Sequence, residues 1–201
     1  MEFAPDNHHR RSIRLTGYDY SQEGLYFVTI CTNNHQCLFG EIINGVMKLN
    51  DVGKIVLEQL NAIPQRFAHI DVDEYIVMPN HIHTIITVGA PLAGAQYQTS
   101  GAQNQTAGVD INNMATAKER ATARVAPTVG EVVGAYKSLC VHHCLKWISK
   151  NEPGRIMGKI WQRNYYEHIV RNDEDLNRIR EYINNNHGQW EMDKLHPRNK
   201  K

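Results

Sequence analysis

The stretch from Ile70 to Val88 limits the folds open to this chain more than any other. Two β-branched, largely apolar runs, Ile70 to Val77 and His81 to Val88, are separated only by Met78-Pro79-Asn80. Proline fixes its own φ and offers no N–H, and asparagine tolerates turn conformations, so Pro79-Asn80 marks a reversal between two strands. An antiparallel sheet is therefore expected at the centre of the fold.

The remaining segments supply partners for that sheet. Tyr26 to Thr32 is β-branched and aromatic and reads as a largely buried strand. Leu38 to Ile43 and Val46 to Leu49 flank Asn44-Gly45, a strong hairpin signal. Asn50 or Asp51 caps a helix through Ile55, Val56, Leu57 and Leu60 that ends before Pro64. Thr128 and Glu131 form a capping-box pattern ahead of a helix reaching Ser149. An extended, aromatic-rich segment follows from Ile160 to Val170, and Asn172 or Asp173 caps a last helix through Leu176, Ile179 and Ile183. The expected class is α+β, a ferredoxin-like antiparallel sheet with helices packed on one face.

A chain of 201 residues with 41% hydrophobic and 21% charged residues is long enough for one domain with a real core. Its expected organisation is a basic N-terminal arm over residues 1–24, one catalytic domain over 25–188 and a polar C-terminal tail over 189–201. Residues 89–127, with ten alanines, four glycines, four glutamines and one aromatic, read as a flexible loop within the domain. No apolar run reaches the roughly 18 residues that span a bilayer, and the N-terminus lacks the apolar core of a secretory signal, so a cytoplasmic location without membrane contact is expected. The net charge is only +1, yet residues 128–201 hold 13 Lys and Arg against 9 Asp and Glu, and Arg10, Arg11 and Arg14 cluster in the arm. That unevenness suits a local nucleic-acid face as well as it suits a solvated surface. Cys140-Val-His-His-Cys144 has zinc-ligand residue types, but Val129, Val132, Val133, Tyr136, Leu139, Cys140 and Cys144 recur at helical steps, so the cysteines are expected in the core.

Two places carry candidate chemistry. His81 and His83 lie two residues apart on a strand, so both imidazoles leave one face and can converge on one ion; a pair of histidines hydrogen-bonded at a strand end has the same spacing. On the last helix, Tyr182 and Asn186 stand four residues apart and share a face. Tyr165 and Tyr166 are rivals to Tyr182, and spacing does not choose among the three. Trp161, Arg163, Tyr165, Tyr166, His168 and Arg171 interleave aromatics with cations, as single-strand binding surfaces and core strands both do.

Several blocks together resemble the HUH single-strand DNA transposases with one catalytic tyrosine, in particular the REP-associated tyrosine transposases of the IS200-like group. They are residues 10–21, Tyr26 to Thr32, Leu38 to Ile42, Glu74-Tyr-Ile-Val-Met-Pro-Asn-His-Ile-His83, Trp161 to Arg171 and Arg180-Glu-Tyr-Ile-Asn-Asn-Asn186. The resemblance implies that His81 and His83 bind a divalent metal, Mg2+ or Mn2+, with Asn186 as third ligand and Tyr182 as nucleophile. It departs from the family pattern at His187, where proline usually follows the asparagine, and His187 thereby becomes a rival third ligand. The implied activity is a metal-dependent single-stranded DNA endonuclease and strand transferase acting at hairpin-bearing ends through a 5′-phosphotyrosine, in a nucleoid-associated monomer or homodimer. Arg10, Arg11, Arg14, Arg163 and Arg171 are the expected DNA contacts. Two other readings stand beside it, a water-activating metal-dependent phosphodiesterase and a catalytically inactive ferredoxin-like nucleic-acid-binding module.

Overall fold

A computed structural model describes residues 18, 20, 22–89 and 127–199. The four long strands are β1 (Gly24–Cys31), β4 (Ile70–Met78), β5 (His81–Val88) and β6 (Tyr166–Val170). They form one antiparallel sheet in the order β4-β5-β1-β6. With helix α1 (Asp51–Asn61) after β1 and helix α3 (Val129–Asn151) between β5 and β6, this is the ferredoxin-like arrangement. Strands β2 (Gly40–Ile43) and β3 (Val46–Leu49) make a separate hairpin, which turns at Asn44 and Gly45 with φ of 52° and 74°. Both positive φ values suit the primed turn that the Asn-Gly pair predicts. Helix α2 (Ile63–Arg66) is a single turn with Pro64 near its start, and α4 (Asp173–Asn185) is the last α-helix.

The caps sit where the sequence places them. The Asn50 side chain accepts from Gly53 N at the start of α1, Thr128 and Glu131 close a full capping box on α3, and Asn172 accepts from Asp175 N on α4.

Alternation along the strands separates two cores. Even-numbered residues of β1 (Tyr26, Val28, Ile30), with Ile82 and Ile86, meet Val56, Leu60, Val132, Tyr136, Cys140 and Cys144 from α1 and α3. The odd-numbered face carries Phe27 and Ile85, joined by Ile76 and Met78 of β4, and packs on Ile179, Ile183 and Trp190. The helices therefore cover both faces of the sheet, not the one face expected. The α4 apolar stripe is short and docks on the second face because the first is already filled. Arg180 of α4 adds an ion pair to Asp73 of β4 at 2.7 Å.

Cys140 and Cys144 are fully buried in the α3 stripe, as their spacing suggests. Burial pushes their thiols up to about 12 and about 11, and among the described residues they join no group of three metal-ligating side chains. Trp161 is also core: it stacks obliquely on Phe39 and Tyr136 and donates from Nε1 to the Lys137 carbonyl. The Lys137 ammonium donates to the carbonyls of Gln162 and Asn164, both at 2.9 Å, and fixes the approach to β6.

The segment expected to be a polar tail is folded onto the domain through residue 199. Residues Asn186–Met192 continue from α4 as a 3-10 helix, Trp190 and His196 are buried, and Asn80 Nδ2 donates to the Leu195 carbonyl at 2.7 Å. Most of the 89–127 loop and of the 1–24 arm, with Arg10, Arg11 and Arg14, lies outside the described residues. Among those described, no helix is long and apolar enough to cross a membrane.

Candidate active site

The odd-numbered face of β5 carries His81 and His83 beneath α4 and the segment that follows it. Cross-strand register sets Ile76, His83, Thr29 and Tyr166 in one row across β4, β5, β1 and β6. His83 Nδ1 lies 2.8 Å from Thr29 Oγ1, and the Phe27 ring stacks on its imidazole at 5.3 Å. The next residue on that face, His81, is held through Nδ1 by Asn80 Oδ1 at 2.7 Å. Asn80 spends both amide hydrogens on the carbonyls of His35 and Leu195, so its oxygen is the acceptor and His81 Nδ1 carries the proton. His81 Nε2 is left with a free lone pair.

Helix α4 brings Tyr182 over this pair. Its hydroxyl is 3.3 Å from His83 Nε2, and its ring meets His83 and Phe27 edge-on. Tyr182 is 42% exposed and opens on a cavity of about 750 Å³. Asn186, one turn further, is buried and hydrogen-bonds the tyrosine. Burial, with the charge of Asp193 second, raises the Tyr182 hydroxyl above its ordinary value, against which the Asn186 bond pulls.

Asp193 is the residue that sequence reasoning missed. It lies in the folded-back segment, with its Oδ2 3.6 Å from His81 Nε2. Ligand atoms of His81, His83 and Asp193 all lie within 4.8 Å of one another. Among the described residues, His81 Nε2, Asn186 Oδ1 and Asp193 Oδ2 are buried atoms with no hydrogen-bond partner. Unpartnered buried polar atoms are costly, and the imidazole nitrogens and carboxylate oxygen that His81, His83 and Asp193 bring together are donor types of a divalent-cation site. The residues present thus fit a metal. Burial also holds both imidazoles in the neutral, ligating form, lowering His83 to about 3 and His81 well below its usual value. Burial likewise raises the Asp193 carboxyl, a penalty that a bound cation would reverse.

The other expected residues separate by environment. His187 is hydrogen-bonded to the Val77 backbone and does not join the histidine–aspartate group. Tyr165 packs on the core with Trp161, whereas Tyr166, pointing the other way, lines the cavity with His168. Strand alternation divides the aromatic-cationic segment, a division its composition does not reveal. Arg163 and Arg171 are exposed and stand outside the cavity wall; Arg178 and Lys194 are the cations that line it.

The fold and this site define an α+β protein with a ferredoxin-like antiparallel sheet and a candidate histidine–aspartate metal centre. The chain superposes on the solved structure of a REP-associated tyrosine transposase bound to a REP hairpin, with a TM-score of 0.50 and 16% identity, over 84% of this chain and 69% of that one. No protein-family model matches the chain. It is 38% identical over 189 residues to an uncharacterised protein of Haemophilus influenzae, covering 94% of both chains, and it belongs to the same family as that protein.

Proposed function

We propose that the protein is a metal-dependent single-stranded DNA endonuclease and strand transferase, a transposase that cuts at hairpin-bearing ends through a 5′-phosphotyrosine. The observation that carries this reading is the placement of the Tyr182 hydroxyl 3.3 Å from His83 Nε2, beside the unpartnered atoms of His81, Asn186 and Asp193. The likeness in fold to a transposase solved with a DNA hairpin supports it.

His81 and His83 through Nε2, with oxygens of Asp193 and Asn186, would hold a divalent cation, which supplies Lewis-acid charge at the phosphate. A site of two imidazoles and two oxygens suits Mn2+ at least as well as Mg2+. Tyr182 gives up its phenolic proton and its oxygen attacks phosphorus. The new P–O bond joins tyrosine to the 5′ side of the cut, the bond to the 3′ oxygen breaks, and that oxygen takes a proton. One phosphodiester replaces another, so a second 3′-hydroxyl can reverse the step and rejoin strands without a nucleotide cofactor. His83, whose basicity burial suppresses, is poorly suited to store the phenolic proton alone, which is why the chemistry asks for a cation. Arg163, Arg171 and the arm residues Arg10, Arg11 and Arg14 are assigned to the phosphates of the strand away from the cut.

The test mixes the protein with a single-stranded hairpin oligonucleotide and Mn2+ or Mg2+ and looks for a covalent protein–DNA adduct on a denaturing gel. An adduct is expected, and Tyr182→Phe should remove it while hairpin affinity is kept. Cleavage that continues in Tyr182→Phe without an adduct would establish the water-activating hydrolase instead. Binding with no cleavage under any metal would leave the nucleic-acid-binding module.

A further inference from the structure

The cavity beside Tyr182 is much larger than a cation needs. At about 750 Å³ it falls in the range that accommodates an organic ligand the size of a nucleotide. From Tyr182 it extends along the open edge of the sheet, where β6 supplies Tyr166. Register places Tyr166 beside Thr29 and Thr29 beside His83, so Tyr166 and His83 rise from the same face two strands apart, a span of roughly 10 Å. Tyr166 is 49% exposed and its side chain has, among the described residues, neither a hydrogen bond nor a ring partner. Phe27 and Tyr182, by contrast, both pack on His83. Met192, 78% exposed, lines the same cavity from the folded-back segment.

The rim supplies charge of the right sign. Lys194 and Arg178 line the cavity, as does His168, which is 2.8 Å from Asp175. Arg178 shares Asp175, so Lys194 is the cation of this rim with no acidic partner among the described residues. A half-open aromatic ring, a thioether lining the same cavity and a cation together recognise a flat, uncharged ring attached to an anion.

We propose that Tyr166 is the stacking platform for the unpaired nucleobase adjacent to the scissile phosphate, with Met192 across the cavity and Lys194 on the neighbouring phosphate. The inference rests on the single-strand nuclease reading above and names the part of the substrate that occupies the rest of its cavity. Because every base has a π face, the platform accepts any of the four and requires only that the base be unpaired.

The experiment uses full-length protein carrying Tyr182→Phe, so that nothing is cut. Hairpin oligonucleotides with single-stranded flanks carry one 2-aminopurine each, walked through the flank, and binding is followed separately by fluorescence anisotropy of an end label. Binding should quench 2-aminopurine strongly at one flank position. Adding Tyr166→Phe should keep both the quenching and the affinity, while Tyr166→Ala should abolish the quenching and weaken binding about tenfold. An abasic site at that position should weaken binding to the Tyr166 protein and have little further effect in Tyr166→Ala, as coupled groups require. Anisotropy that reports binding with no position-specific quenching, or quenching that survives Tyr166→Ala, overturns the platform and leaves the nuclease reading standing. Absence of any binding to the hairpin set overturns both.

Discussion

At the scale of single residues, each candidate ligand nitrogen depends on what holds the opposite side of its ring. Thr29 Oγ1 and Asn80 Oδ1 fix the orientations of His83 and His81, and such outer partners are typically worth 10- to 100-fold in metal affinity. Thr29→Val, which nearly conserves volume, should therefore weaken Mn2+ binding by about tenfold in calorimetry while circular dichroism stays unchanged. Asp193→Asn removes the site's anionic ligand and should cost more than Thr29→Val, and His81→Ala or His83→Ala should abolish both binding and cleavage. Unchanged Mn2+ affinity in Asp193→Asn would remove that residue from the ligand set. That His81 and His83 share a face was legible from a strand's period of two, while their reading as metal ligands came with the family resemblance. Asp193 was not, because it is one carboxylate in a polar stretch without periodicity. Its position depends on the hydrogen bond between Asn80 and Leu195, a contact 115 residues apart that no local pattern encodes.

At the scale of elements, helix α1 is seated by a glycine in its first turn. A Cβ on Gly53 would lie 2.1 Å from the Phe39 carbonyl oxygen, so the helix lies directly against the bend that leads into the β2–β3 hairpin. Gly53→Ala should lower stability by about 1–3 kcal/mol in urea denaturation, although alanine is otherwise the better helix former. Thr128→Ala, which opens the capping box of α3, should cost about 1 kcal/mol in the same assay. Caps and strand pairs were readable because their signals are local. The placement of α4 on the opposite face was not, because an amphipathic stripe states that a helix must dock and not on which side. The same holds for Trp161 and Tyr166, where composition offered one aromatic cluster and the pleat separated a core residue from a cavity residue.

At the scale of the whole molecule, the buried interior contains thiols that must stay protonated. Burial raises Cys31 to about 11, Cys140 to about 12 and Cys144 to about 11, from an ordinary 9.0. Above pH 9 the unfolded chain releases these protons while the folded chain retains them. The unfolded state then binds fewer protons, and stability falls as pH rises through about 9 to 11. Lys137, lowered to about 8 from 10.5 by burial, works in the opposite direction between those values. Three thiols outweigh one ammonium, so the urea midpoint should be lower at pH 10.5 than at pH 8. Cys140→Ala with Cys144→Ala should flatten that dependence; a midpoint that rises with pH would show the thiols ionise freely in the fold.

Asn80 ties the hairpin that carries both histidines to Leu195, and the carboxylate at residue 193 enters the site with that contact. Domains acquire structure during synthesis from the N-terminal side, so the sheet can form while the ribosome is still adding the last residues. The histidine–aspartate group cannot. A polypeptide arrested, or a message truncated, before codon 195 yields a sheet with two histidines but without the latch. The candidate site is thereby incomplete until translation has passed that codon.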